Sequence, residues 1–132
     1  MPGAPDLLHQ LDGASWAIVT SGPLRLAGAR IKACDFPSPR ALVTGDDVAI
    51  GKPHPEGYIK AAQALGVAAA DCIVFEDAPA GIEAAHASGA VVVALTTTYG
   101  VADLGAANSH IDTLAQVSAT IRPNGTIVLH AS

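Results

Sequence analysis

Large rings are scarce in this chain: one Trp, two Tyr and two Phe make up 4% of its 132 residues. With half of the residues hydrophobic, the core must be assembled mainly from Ala, Val, Leu and Ile, as in tightly packed α/β layers. Basic residues are few as well, 7 Lys and Arg against 12 Asp and Glu, and the net charge of -5 argues against nucleic acid or an anionic membrane surface as a partner. An anionic substrate would need local neutralisation by a lysine or a metal. Only Cys34 and Cys72 are cysteines. Far apart and in or near apolar segments, they are expected to be buried free thiols in a reducing compartment. No apolar run approaches the roughly 20 residues of a membrane helix, and the acidic, proline-containing N-terminal stretch lacks the layout of a signal peptide. The expectation is a cytoplasmic protein. No G-x-G-x-x-G follows a strand candidate, which disfavours a dinucleotide-binding Rossmann domain. Neither a linker nor a repeat divides the chain, so residues 1–132 are expected to form one domain.

Short apolar runs alternate with helical stripes. Pro2 to Leu11 reads as a short helix or turn with Leu7, Leu8 and Leu11 on one side, stopped at Asp12-Gly13. Trp16 to Thr20 is the first strand candidate, followed by a helix from Ser21-Gly22-Pro23 to about Cys34 with Leu24, Ala27 and Ile31 as its stripe. Ala41 to Thr44 is a short strand, Gly45 to Pro55 a polar loop, and Glu56 to Leu65 a helix with Tyr58, Ala62 and Leu65 inward and Gly66 as its cap. Val91 to Thr96 reads as a buried strand, Val101 to Asn108 as helical and Ile111 as the start of a strand or turn. Residues 119–130, around Asn124-Gly125, have the pattern of an edge hairpin. This alternation predicts a Rossmann-like, three-layer α/β/α fold with a parallel sheet and right-handed crossovers.

Cys72 to Ala85, CIVFEDAPAGIEAA, is the stretch around which the rest is organised. Its apolar run reads as a strand covered on both faces, ending in Glu76 and Asp77, and Pro79 suits the first turn of a helix. Both carboxylates therefore sit at the carboxyl edge of a sheet, where ligands bind in such folds, and the pair suits a hard divalent cation such as magnesium. In isolation, Asp77 would be read as a helix cap.

Two other loops offer complementary groups. Thr20, Ser21 and Gly22 bring hydroxyls and free backbone N–H groups to a helix start, where phosphate oxygens are held with help from the helix dipole. Lys52, ahead of Pro53, adds a positive point charge. Taken singly, Thr20 and Ser21 would be caps and Lys52 a solvated loop residue. His54, between two prolines, reads as structural, with no second histidine spaced to join it.

Together, VTSG at Val19–Gly22, GKPHPEGY at Gly51–Tyr58 and FEDAPAGIEAA at Phe75–Ala85 resemble the second, third and fourth motifs of the haloacid dehalogenase superfamily. The resemblance is closest to the branch acting on small sugar or polyol phosphates, which includes phosphoglycolate phosphatase and β-phosphoglucomutase. It implies a magnesium-dependent phosphohydrolase acting on a small phosphorylated metabolite. Thr20 would be the phosphate-binding hydroxyl with Ser21 and Gly22 beside it, and Lys52 the clamp on phosphate and nucleophile. Asp77 would be the Mg2+ ligand, and Glu76 either a ligand or an acid just behind it. The superfamily's metal-free dehalogenases lack such an acidic pair, so phosphoester chemistry is favoured.

The family's nucleophile belongs to a D-x-D-G-T motif on the first strand, and this sequence contains no D-x-D. Gln10-Leu11-Asp12-Gly13-Ala14 has Gln and Ala where the motif needs Asp and Thr. The resemblance thus implies a partial core lacking the central nucleophile strand and the cap, with residues 1–13 as the lead-in from that cap. The lone chain is then expected to be inactive. Three consequences are open: the flanking strands pair directly, another copy or partner chain fills the gap, or the chain is marginally stable. The alternative function is a non-catalytic phosphate- and metal-binding remnant or subunit.

Overall fold

The first four strands, three to five residues long, are built on short apolar runs, and the stretches between them with apolar positions at helical spacing become helices. The computed structural model describes residues 3–34 and 36–131. In order these form α1 (Ala4–Gln10), β1 (Ala17–Val19), α2 (Leu24–Ala33), β2 (Ala41–Val43), α3 (Glu56–Leu65), β3 (Ile73–Glu76) and α4 (Pro79–Ser88). There follow β4 (Val91–Leu95), a 3-10 turn (Val101–Leu104), β5 (Ser109–Ile111), β6 (Val117–Ile121) and β7 (Ile127–Ala131). Gly66 (φ 73°) and Gly89 (φ 92°) end α3 and α4 in the left-handed conformation that glycine adopts without a steric penalty.

The fold is α/β with parallel strands, but the strands form three ladders. β1 and β2 pair in parallel with Val19 opposite Val43, and β3, β4 and β5 form a parallel sheet with Glu76 opposite Ala94. β6 and β7 make an antiparallel hairpin. Direct pairing of β1 with β3, one of the expected ways to close the sheet, does not occur among the described residues.

Packing joins what the ladders leave apart. One buried cluster gathers Leu7, Leu11, Trp16, Leu95, Leu114 and Val117, with Ile18 of β1 and Phe75 of β3 against it. The other centres on Tyr58, Ile82, Val92 and Leu104, with Val19 of β1 and Val74 of β3 against it. β1 and β3 therefore share a core on both faces. Helix α3 packs on β1, β2 and α4, and α1 is tied to the hairpin where Ala119 N–H donates to Gln10 Oε1 at 2.7 Å. Trp16 is buried, and its Nε1–H has no acceptor among the described residues.

Several expectations need correction. The Cys72–Phe75 segment is covered less fully than expected: Val74 and Phe75 pack on opposite clusters, but Ile73 at the start of the strand is 49% exposed, and β3 is an edge strand here. Cys34 is exposed at the end of α2 and Cys72 is half-buried ahead of β3, so neither is a core thiol. Leu24 points to water at the first position of α2, leaving Ala27 as that helix's buried contact. Only Val101–Leu104 of the stretch expected to be helical winds, as a 3-10 turn, and Ile111 ends a strand instead of beginning one. The hairpin opens at Val117, before the expected 119. Pro2, expected to begin the first helix, lies outside the described residues.

Candidate functional site

The carboxyl ends of β1, β2 and β3 lead into the loops that hold the site. β1 hands its direction to Thr20, whose N–H still donates to Val43 O at 2.9 Å. Gly22 N–H then donates to Thr20 Oγ1 at 3.2 Å, and Gly45 N–H donates to Gly22 O at 2.8 Å, so the turn is clamped onto the loop after β2. That approach requires glycine at 45, because a Cβ there would overlap Ser21 O.

The α2 N-terminus is not free. Leu24 N–H donates to Asp46 Oδ2 at 2.8 Å, which places a carboxylate where a helix start attracts anions. Thr20 N–H is taken as well, by Val43 O, so the side-chain donors of this turn are the hydroxyls of Thr20 and Ser21. The loop's second acid, Asp47, accepts from the N–H and hydroxyl of buried Thr44 at 2.8 and 3.0 Å. Those bonds, the backbone one first, hold its carboxyl below the usual carboxylate range. Glu56 on α3 accepts from Ala49 N–H at 2.9 Å, fixing the far end of the loop.

Lys52 is brought to the site by this loop, with a cis Lys52–Pro53 bond. Its Nζ lies 2.9 Å from Glu76 Oε2 and 5.2 Å from the centroid of the Tyr58 ring. The Tyr58 hydroxyl donates to the same Glu76 oxygen at 2.5 Å, and Asp77 N–H donates to Glu76 Oε1 at 3.2 Å. Burial raises the Glu76 carboxyl, but Lys52, Tyr58 and the Asp77 N–H outweigh it, and the net displacement is downward. Tyr58 is pushed far above the ordinary phenol range, by burial first and then by the Glu76 charge, so it remains a donor. Asp77 is displaced upward, by burial and then by Glu76, and makes no ion pair among the described residues.

Thr20, Ser21 and Lys52 line one cavity of about 190 Å³, together with Thr44, His54 and Tyr58. Gly22, Glu76 and Asp77 are not in its wall; Glu76 is joined to it through Lys52, and Asp77 through Glu76. The α4 cap position falls on Ala78, with no side-chain cap bond, so Asp77 is not that helix's cap. His54 Nδ1 accepts from Glu56 N–H at 3.2 Å, the structural part expected of it.

The donor set suits a hard divalent cation of the magnesium type. Mg2+ usually takes one or two protein carboxylates and completes its shell with water and phosphate oxygens. Among the described residues no group of three or more His, Cys, Asp or Glu gathers, and Asp77 offers a carboxylate not paired with a cation.

A profile of the haloacid dehalogenase-like hydrolases matches residues 1–89, which contain all three motif segments. The chain belongs to that family. Among curated members, the chain is 40% identical over 131 residues to hexitol phosphatase A of Escherichia coli K12, covering 98% of this chain and 61% of the relative. It is 43% identical over 118 residues to validoxylamine A 7'-phosphate phosphatase of Streptomyces hygroscopicus subsp. limoneus, covering 87% and 55%. A hydrolase of Pseudomonas syringae superposes with a TM-score of 0.80 at 33% identity, over 87% of this chain and 55% of that one. The haloacid dehalogenase-like chain thus spans 55 to 61% of the length of these relatives.

Sequence reasoning missed Asp46, Asp47 and Gly45, and it gave Tyr58 no part beyond an apolar stripe and the end of the Gly51–Tyr58 motif. One signal was available for Tyr58: a buried phenol nearly always has a hydrogen-bond partner.

Proposed function

We propose that this chain forms the phosphate- and magnesium-binding part of a phosphatase that hydrolyses a small phosphorylated metabolite, a sugar or polyol phosphate, in the cytoplasm. The observation that carries the proposal is the convergence of Thr20, Ser21 and Lys52 on one cavity, with Asp77 close behind Lys52. The hydroxyls of Thr20 and Ser21 would hold the phosphate oxygens, and Lys52 would balance their charge. Asp77 would hold Mg2+, with Glu76 beside it. When bound, that ion would offset the repulsion between a phosphate and a nearby carboxylate. The substrate class is supported by the relatives' names, hexitol phosphatase among them.

Among the described residues, no aspartate or glutamate lines the cavity. In this reading the attacking carboxylate comes from a strand between β1 and β3, and the present chain is a fragment of the working enzyme. The share of the relatives' length that it spans supports that reading, as do the open edges of β1 and β3. The same absence favours a second reading, a subunit or remnant that binds phosphate and metal without turnover until a partner chain fills the gap.

Calorimetric titration with inorganic phosphate in the presence of Mg2+ tests the shared part. Lys52→Ala is expected to weaken phosphate binding, and Asp77→Ala to abolish Mg2+ binding. Unchanged isotherms in both variants would overturn the site. Magnesium-dependent turnover of an aryl phosphate by the chain alone would overturn the non-catalytic reading.

A further inference from the structure

Glu76 and Asp77 are adjacent acids, but among the described residues only Glu76 is paired with a cation. Both oxygens of Glu76 are engaged: Oε2 by the Tyr58 hydroxyl and Lys52 Nζ, Oε1 by the Asp77 N–H. Asp77 makes no ion pair among the described residues, and its carboxylate meets the Glu76 side chain instead. We propose that Tyr58 is a positioning residue for Lys52, acting through Glu76, so that Glu76 tethers the lysine while Asp77 alone is left to hold the cation. This deepens the phosphate-site reading and rests on it for its functional meaning, but the tether itself can be tested without a ligand.

Three observations support it. First, the Tyr58 hydroxyl is not there for packing: the residue is only 9% exposed, and Phe would fill the same volume without needing a partner. Second, Lys52 is held from two sides, by the carboxylate and by the ring face 5.2 Å away, so its flexible stem is immobilised before any ligand arrives. Third, Gly81 sits in the first turn of α4, where glycine weakens a helix. A Cβ at that position would overlap Glu76 Cγ, Cδ and Oε2. Glycine there leaves the space that lets the carboxylate turn back and reach both partners. A tyrosine on α3, a lysine on the loop before it and a glycine on α4 thus converge on one oxygen.

The test is NMR of the Lys52 side chain in the full chain, with relaxation of its Cε and Nζ as the readout. Lys52 is expected to be ordered in the wild type. In Tyr58→Phe, which keeps the ring and the volume, it should become mobile while backbone amide shifts away from the site stay put. Gly81→Ala should release Lys52 in the same way without touching the phenol, and it decides the matter if Tyr58→Phe does not fold. A Lys52 as ordered in these variants as in the wild type overturns the proposal. Inorganic phosphate should bind about three- to tenfold more weakly to Tyr58→Phe, the range for losing one pre-immobilised side chain. Mg2+ affinity should stay within about twofold in Tyr58→Phe, as expected for a site that does not share the altered contact, and vanish in Asp77→Asn. Loss of Mg2+ binding in Tyr58→Phe overturns the division between the two acids. If Lys52 order follows the phenol hydroxyl but the wild type binds no phosphate, the tether stands and the phosphatase reading falls.

Discussion

Val19 and Val74 pack against the same buried cluster around Ile82, yet their strands share no ladder among the described residues. Each strand leaves a row of backbone donors and acceptors without partners, and such edges invite another strand. The isolated chain is therefore expected to associate as its concentration rises. Sedimentation velocity over a wide concentration range checks this, and a monomer throughout would show that the edges are protected.

Ile82 is 1% exposed and sits where α4 meets the central strands. Ile82→Ala should cost about 2–5 kcal/mol, the usual range for removing a fully buried aliphatic side chain. Urea unfolding followed by circular dichroism measures it, and a loss well below that range would mean that the cluster collapses around the gap.

Gly45→Ala forces a methyl group into Ser21 O, which is rigid backbone. The expected cost is about 1–3 kcal/mol from overpacking, together with a shift of the Thr20–Gly22 turn visible in the amide spectra of those residues. Unchanged amide shifts for Ser21 and Gly22 would count against this close approach.

Asp47 gives a pH dependence whose sign is fixed. Its carboxyl is held below its ordinary 3.8 by the Thr44 N–H and then by the Thr44 hydroxyl. A depressed folded value means that the contribution is complete above pH 3.8 and is lost as pH falls below it, through the folded value. Urea midpoints of the wild type should exceed those of Asp47→Asn above that pH, and the two should converge in acid. A difference that persists unchanged in acid would assign it to something other than this carboxylate.

The end of α3 and the start of α4 were legible because they are written locally, by Gly66 after one helix and by Pro79 in the first turn of the other. The alternation that produced an α/β fold with parallel strands was legible for the same reason. Whether β1 and β3 would pair was not, because which strands meet depends on segments distant in the chain. Position also explains Leu24 and Cys34. Both have residue types that suit a core, but they lie at the two ends of α2 and point away from it. Within the site, Thr20, Ser21 and Lys52 were read from motifs, and the cavity gathers all three. What spacing could not reveal was the partner of each group. Lys52 and Glu76 are 24 residues apart, and Asp46 reaches Leu24 across 22, so each charge could be placed but not paired.

The lone indole, Trp16, lies in an apolar cluster beside β1 with no acceptor for its Nε1–H among the described residues. The molecule thereby contains one optical gauge at the place where its sheet is interrupted. In the free chain its fluorescence should be blue, as from a dry and apolar surrounding. A polypeptide that settles along β1 and offers a carbonyl to the indole would change the colour of that emission, with no dye and no label added. Filling of the gap could then be followed in real time, by the protein's own light.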